Sequence, residues 1–85
     1  MVHVKRLVLD ILKPHQPNAL EFARSIASLD GGYKVEVKVL EVDEQTETLL
    51  VKIESDSLDF DIINESISEN GASLHSIDEV SVEGE

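Results

Sequence analysis

The sequence predicts a single α+β domain built in the order βαββαβ, and three observations lead to that prediction. Its 85 residues suit one domain, residues 1–85, and are too few for two. Four segments alternate apolar and polar residues with the period of a strand, and two others repeat apolar residues with the period of a helix. Hydrophobic residues make up 41% of the chain but aromatic residues only 4%, so aliphatic side chains must fill the core.

A change of period near Pro14 predicts the first strand and the first helix. Over residues 3–13 aliphatic side chains stand at every second position, which is typical of a strand with one apolar face. Pro14 ends this strand, and Pro17 suits the first turn of a helix over residues 17–29, because an N–H would have no partner there. The predicted core residues of these elements are Leu7, Leu9 and Ile11, then Leu20, Ala23, Ile26, Ala27 and Leu29.

A hairpin, a second helix and a last strand follow. Residues 33–42 alternate strictly, and alternation resumes after a polar turn at residues 43–47, so the two strands are expected to pair. The polar cluster at residues 55–57 favours a helix start, which predicts a helix over residues 58–70 and a strand over residues 73–82. The predicted core residues here are Val35, Val37, Val39, Leu49, Val51, Ile53, Phe60, Ile63 and Ile67.

This order of elements is the ferredoxin-like plan, in which two helices cover one face of a four-stranded antiparallel sheet. The opposite face of the sheet has no helix to cover it, and we call it the open face. Exposed apolar surface of this kind usually marks an interface. The residues predicted on the open face are Val8, Asp10, Leu12, Leu40, Val42, Leu50 and Lys52.

Charge and composition exclude several functions. The formal net charge of −11 disfavours binding to nucleic acid or to anionic membranes, both of which need Lys and Arg, and it fits cations or basic partners better. The absence of Cys excludes disulfides, thiol catalysis and thiolate metal sites. The early apolar run is interrupted by Asp10 and Lys13 and lacks a cleavage site, so we expect a cytoplasmic protein rather than a secreted one.

Four stretches resemble one archaeal family, the domain of unknown function 211. They are LVLDILKPHQP, EVDEQTE, SLDF and LHSIDEV, and the resemblance covers almost the whole chain. It implies a ferredoxin-like fold and ring-shaped homo-oligomers, heptameric rings that can pair, and it implies no established reaction. Ser57 stands where an acid is common in the family, which weakens any cation site at that position; a serine caps a helix equally well.

Asp10 is the most informative candidate site residue, because a carboxylate in the middle of an aliphatic strand needs a partner. Three alternatives stay open from the sequence. Asp10 pairs with Lys52 on a neighbouring strand, or it meets a basic residue such as Arg6 or Lys13 of an adjacent subunit. In the third alternative it joins residues of the last strand around a divalent cation.

The last strand supplies the other candidate metal ligands, which are His75, Asp78 and Glu79. The fold places this strand beside the first one, so these side chains can approach Asp10. Neither face of residues 73–82 is cleanly apolar, which predicts a β-bulge near Ser76 and Ile77 that turns Ile77 into the core. Oxygen ligands suit Ca²⁺ or Mg²⁺, whereas a histidine shifts the preference towards Zn²⁺ or Mn²⁺.

His15 is the remaining candidate, as a ligand-binding or acid–base residue held in the KPHQP turn. A solvated or subunit-contacting loop is the competing interpretation of the same residue. His3 is expected to be inert, and the acidic group Asp43, Glu44 and Glu47 is expected to form a solvated turn that holds a cation only loosely.

The sequence therefore favours a non-enzymatic homo-oligomeric module that binds a small ligand or a divalent cation at subunit interfaces. No cofactor is required, although bound Ca²⁺ or Mg²⁺ would offset repulsion between acidic subunits. The alternative is an enzyme with a composite inter-subunit site around Asp10, His15 and His75. No serine lies in a strand-to-helix elbow and no glycine-rich phosphate loop occurs, so a catalytic group is not assigned.

Overall fold

A computed structural model describes residues 1–85 and confirms the βαββαβ order. The strands form one antiparallel sheet in the order β2-β3-β1-β4, which is the ferredoxin-like arrangement. Neither helix has the length and apolar character needed to cross a membrane. The elements are β1 (Val2–Pro14), α1 (Ala19–Ala27), β2 (Lys34–Val42), β3 (Thr46–Glu54), α2 (Phe60–Glu69) and β4 (Ser73–Gly84).

The core lies between the helices and one face of the two central strands. In β1 and β3 the alternating residues predicted from the sequence pair directly across the ladder, and each is almost completely buried. Full burial of one such aliphatic side chain contributes roughly 1.5–3 kcal/mol. The strand residues are Leu7, Leu9, Ile11, Leu49, Val51 and Ile53, and the helices add Phe22, Ile26, Ile63 and Ile67.

Two details of the helices differ from prediction. Helix α1 begins after Asn18, whose side chain accepts the N–H of Glu21 at 2.9 Å, so Pro17 precedes the helix. Its buried face contains Phe22 and Ile26, whereas Leu20 is 59% exposed and the prediction that it enters the core was wrong. Helix α2 is likewise capped by Asp59 rather than by the polar cluster at residues 55–57.

The sheet is longer than the helices, which explains why several predicted core valines are not buried. Helices of 9 and 10 residues are only about 14–15 Å long, whereas the molecule extends over 46 Å. In the edge strand β2, Val39 is 43% exposed. A register shift between Val39 and Glu41 also pairs Val42 with Glu47, which moves Val42 off the open face predicted for it.

The open face is less apolar than the sequence suggested. Val8, at its centre, lies between Lys52 of β3 and Glu79 of β4, and these long side chains leave Val8 only 9% exposed. Leu12 and Leu40 remain exposed at the end of the sheet where β1 and β2 finish. The open face therefore carries charged and apolar residues side by side.

Candidate functional site

A shallow cavity of about 300 Å³ on the open face contains the most promising of the predicted site residues. Asp10, Leu12, Thr48 and His75 line it. Asp10 and Leu12 lie on the same face of β1, Thr48 is the cross-strand partner of Leu12, and His75 comes from β4 on the other side. The strand order thus brings Asp10 and His75 together, and we call this the open-face cavity.

Two irregularities in β4 decide where its polar side chains lie. Register shifts leave Asp78 unpaired between the Glu79 and Ile77 ladder positions, and leave His75 unpaired between the Ser76 and Leu74 positions. The sequence predicted one bulge near Ser76 and Ile77, whereas the structure has two irregularities, one on each side of these two residues. Ile77 is 49% exposed because β4 is an edge strand, so the prediction that it turns into the core was wrong.

Asp10 takes part in the ladders through its backbone, but its carboxylate has no hydrogen bond or ion pair within the chain, although the residue is half-buried. Lys52 lies opposite Val8 and contacts Glu36 at 3.7 Å, so it is not the partner of Asp10. Arg6, one of the basic residues considered for a neighbouring subunit, is engaged by Glu79 of its own chain at 2.8 Å. The acceptor oxygens of an unpartnered carboxylate that still reaches solvent are free to bind another molecule, so Asp10 is available to a cation or a donor.

Asp78 and Glu79 do not join the open-face cavity. Ser76 Oγ donates to Asp78 Oδ1 at 2.6 Å, and the Glu79 carboxylate accepts from Arg6. Nowhere in the chain do three or more His, Asp or Glu side chains form a group suited to a metal ion. Asp10 and His75 would therefore need ligands from outside the chain to complete a coordination shell.

A second polar cluster lies on the helix-side face, at the end of β1 and the start of β3, and the sequence prediction did not recognise it. It consists of Lys13, Glu47 and His15, and we call it the Lys13 cluster. The Lys13 side chain is completely buried. Its Nζ donates to Glu47 Oε1 at 3.0 Å and to the carbonyls of Pro14 and Pro17 at 2.8 and 2.6 Å, which matches the three protons of an ammonium.

His15 is fixed by Glu47 on one side and by the β2–β3 turn on the other. Its Nδ1 lies 3.1 Å from Glu47 Oε2, and its Nε2 lies 3.1 Å from the carbonyl oxygen of Glu44. The hydrogen bond to Glu47, followed by that to Glu44, raises the pKa of His15 above its usual value. In return, hydrogen bonds from His15 and then Lys13 lower the pKa of Glu47.

Asp43, at the start of the β2–β3 turn, forms its hydrogen bonds within the turn itself. Asp43 Oδ1 accepts from the backbone N–H groups of Thr46 and Gln45 at 2.9 and 3.1 Å, and from the Thr46 hydroxyl at 3.1 Å. The backbone bond from Thr46 is the largest cause of the lowered pKa of Asp43. Glu47, expected in a solvated acidic turn, instead has a side chain only 17% exposed and belongs to the Lys13 cluster.

His3 lies apart from both clusters. Its Nδ1 is 3.4 Å from Ser57 Oγ, and its Nε2 is 3.4 Å from the carboxylate of Glu85. These contacts tie the start of β1 to neighbouring surface residues. His3 lines no cavity and contacts no buried polar group. His3 therefore contributes no candidate site.

These features define the class of the protein as a small α+β protein of ferredoxin-like topology. Comparison of the sequence then identifies the family: the chain belongs to DUF211, a family described as Uncharacterized ArCR, which it matches over residues 5–85. It is also similar to the Uncharacterized protein MJ0319 of Methanocaldococcus jannaschii, with 47% identity over 77 residues that cover 91% of this chain and 79% of that protein. The resemblance to an archaeal DUF211 protein is thereby confirmed.

Proposed function

We propose that this chain is a non-enzymatic, homo-oligomeric module of more than two subunits that binds a divalent cation or a small ligand at its subunit boundaries. We place it in the cytoplasm, without nucleic-acid or membrane partners, in keeping with its acidic composition. Two separate features support the proposal. Apolar residues on opposite edges of the sheet support assembly, and the unpaired Asp10 carboxylate supports binding.

The apolar edge residues favour a head-to-tail contact between copies. Strands β2 and β4 form the two edges of the sheet, and each leaves backbone groups unpaired. A contact between two different surfaces, repeated around an axis, closes into a ring. The exposed apolar residues on these edges are Val39, Leu40 and Val42 of β2, and Ile77, Val80 and Val82 of β4.

Charge opposes this assembly and gives a bound cation a role. Each protomer has a formal charge of −11, so like charges accumulate as copies associate. Of 7 Lys and Arg residues, Arg6, Lys13, Arg24 and Lys52 already pair with acids of their own chain. Only Lys5, Lys34 and Lys38 remain to meet the acids of a neighbour, and divalent cations would offset the rest of the repulsion.

The unpaired carboxylate of Asp10 is the observation that carries the binding proposal. Asp10 and His75 line one cavity and are two ligands of a type that hard or borderline cations accept. A neighbouring copy that docks along the β4 edge, from which His75 comes, would supply further oxygen ligands and exclude water. Ca²⁺ or Mg²⁺ suits a set dominated by oxygens, and Zn²⁺ or Mn²⁺ suits one in which His75 takes part.

The enzyme alternative requires a neighbour's histidine. Within one protomer His15 is bonded to Glu47 and Glu44, whereas Asp10 and His75 line the open-face cavity. A composite site of these three residues would therefore form only where a second copy brings its His15 to the cavity. No contact in the chain favours that arrangement over the binding module.

Light scattering coupled to size exclusion tests the proposal, with and without a chelator. We expect an oligomer of more than two subunits whose melting temperature rises with added Ca²⁺ or Mg²⁺, since a ligand that binds only the folded form stabilises it. Asp10→Asn should abolish the rise. Asp56→Asn, which removes an exposed carboxylate that has no partner, is the matched control and should keep it.

The two parts of the proposal fail separately. A monomer at micromolar concentration in every buffer would contradict assembly. An oligomer whose melting temperature is the same with metals and with chelator would agree with assembly but contradict cation binding. An oligomer that responds to metals equally well in Asp10→Asn would show that the cation does not bind in the open-face cavity. A thermal-shift screen of small metabolites in the same buffers then tests the organic-ligand version.

A further inference from the structure

We propose that Lys13, Glu47 and His15 form a pH-gated latch that ties the β1–α1 loop, residues 15–18, to the β2–β3 turn. The latch is closed while His15 is an imidazolium ion and opens when that ring loses a proton. It lies on the helix-side face of the sheet, away from Asp10, and does not depend on the proposed function.

Lys13 is the fixed half of the latch. It continues the inward-facing series of β1 and pairs across the ladder with Glu47, so both side chains lie on the helix-side face. A buried ammonium is tolerated only when its protons and its charge are matched. Two of its three acceptors are the carbonyls of Pro14, the last residue of β1, and of Pro17 in the loop, so Lys13 holds the start of the loop around its own Nζ.

His15 is the switchable half, because both of its ring nitrogens face acceptors. A carboxylate oxygen of Glu47 and a backbone carbonyl of Glu44 both need an N–H, and only the doubly protonated ring supplies two. A neutral ring donates from one nitrogen, so deprotonation breaks either the bond to Glu47 or the bond to the turn. The loop then keeps only one of the two hydrogen bonds of His15, while Lys13 still holds Glu47.

The two acids that interact with His15 favour its cation. Glu47 of β3 contacts it directly, and the Asp43 carboxylate of the turn attracts it, while Glu44 contributes only its backbone carbonyl. Lys13 of β1 is the one opposing charge, and the Glu47 carboxylate lies between the two cations with one oxygen towards each. Gly71, which follows α2 and approaches Pro14, brings no charge.

The direction of the pH dependence follows from these contacts. The folded-state pKa of His15 is raised above 6.5, so its contribution is complete below pH 6.5 and is lost as the pH rises through the folded-state pKa. The folded-state pKa of Glu47 is lowered below 4.5, so its contribution is complete above pH 4.5 and is lost as the pH falls through the folded-state pKa. The latch is therefore fully closed between these two limits.

An NMR titration of the imidazole ¹⁵N signals in the full chain tests the latch directly. We expect the titration midpoint of His15 to lie above the usual histidine value, and Glu47→Gln to lower it. Below that midpoint both ring nitrogens should carry a proton. A His15 whose midpoint is not raised, or whose midpoint is unchanged in Glu47→Gln, would overturn the proposal.

Amide hydrogen exchange provides a second readout that a purely structural histidine would not change. After correction for intrinsic exchange, the protection of the Asp43, Gln45 and Thr46 amides, which all donate within the β2–β3 turn, should fall several-fold as the pH rises through the His15 midpoint. His15→Gln should show low protection at every pH, and His3→Gln should behave like the parent chain. Protection that is equal in the parent and in His15→Gln, or that does not vary with pH, would contradict the latch.

Discussion

The Lys13 cluster and the open-face cavity each contain a charged residue of β1, Lys13 and Asp10, which are only three residues apart. The two side chains differ in how many of their hydrogen-bonding and charge partners the chain itself provides. Lys13 uses all three of its protons within the chain, and Glu47 and His15 complete the network around it. Asp10 has a cavity beside it and no partner. A polar group that is fully matched inside the fold stabilises it, whereas one left unmatched costs stability and is available to another molecule.

Removing the carboxylate of Glu47 should produce the largest effect of this comparison. In Glu47→Ala the buried Lys13 ammonium keeps two carbonyls but loses its counter-ion, which we expect to lower the free energy of unfolding by about 3 kcal/mol. Denaturant titration at pH 6 measures the change. Glu44→Ala truncates an exposed neighbour while keeping the backbone carbonyl that His15 uses, so it is the control. A loss for Glu47→Ala no larger than for Glu44→Ala would show that Lys13 is not stabilised by charge pairing.

Neutralising Asp10 should have a smaller effect of the opposite sign. In a chelated sample Asp10→Asn removes an unpaired, half-buried charge, and we expect the free energy of unfolding to rise by about 1 kcal/mol. The same denaturant titration detects it. Asp78→Asn weakens the bond from Ser76 instead and should give no increase. If Asp10→Asn destabilises the chelated protein, the carboxylate has a partner in solution and the contrast between the clusters fails.

The ion pair between Arg6 and Glu79 should produce the smallest effect. Both side chains are substantially exposed, at 37% and 53%, so water screens their attraction. We expect Glu79→Gln to change the free energy of unfolding by at most about 0.5 kcal/mol, and less at high salt. A loss comparable to that of Glu47→Ala would mean that this pair is buried in solution, as it would be at a subunit contact on the open face.

Alternation predicted the central strands well, because β1 and β3 are each paired on both sides and each buries one face completely. The same alternation also places two residues of the Lys13 cluster on the helix-side face. Lys13 continues the inward-facing series of β1, and Glu47 precedes that of β3. What the sequence could not supply was the arrangement that sets His15 against Glu47, 32 residues away.

The edge strands and helix ends were harder to predict, since local irregularities decide them. The shift after Val39 and the two in β4 each move the following side chains to a different face, and no glycine or proline marks any of them. In α1, Phe22 lies one helical turn before the buried Ile26 and shares its face, whereas the spacing of Leu20 from Ile26 places Leu20 on another face. The strand order was enough to predict that Asp10 and His75 lie close together. It could not show that Asp78 and Glu79, the other predicted metal ligands, lie outside their cavity.

The position of β1 between β3 and β4 has a consequence for how the chain folds. Its ladder with β4 pairs Val2 with Gly84 and Leu12 with Ser73, so it joins residues from opposite ends of the sequence. Neither half of the chain can complete the sheet alone, and a large loop must close before this ladder forms. We therefore expect folding and unfolding as one cooperative unit, at the slower rates of mixed α/β domains dominated by non-local contacts rather than at those of helical bundles.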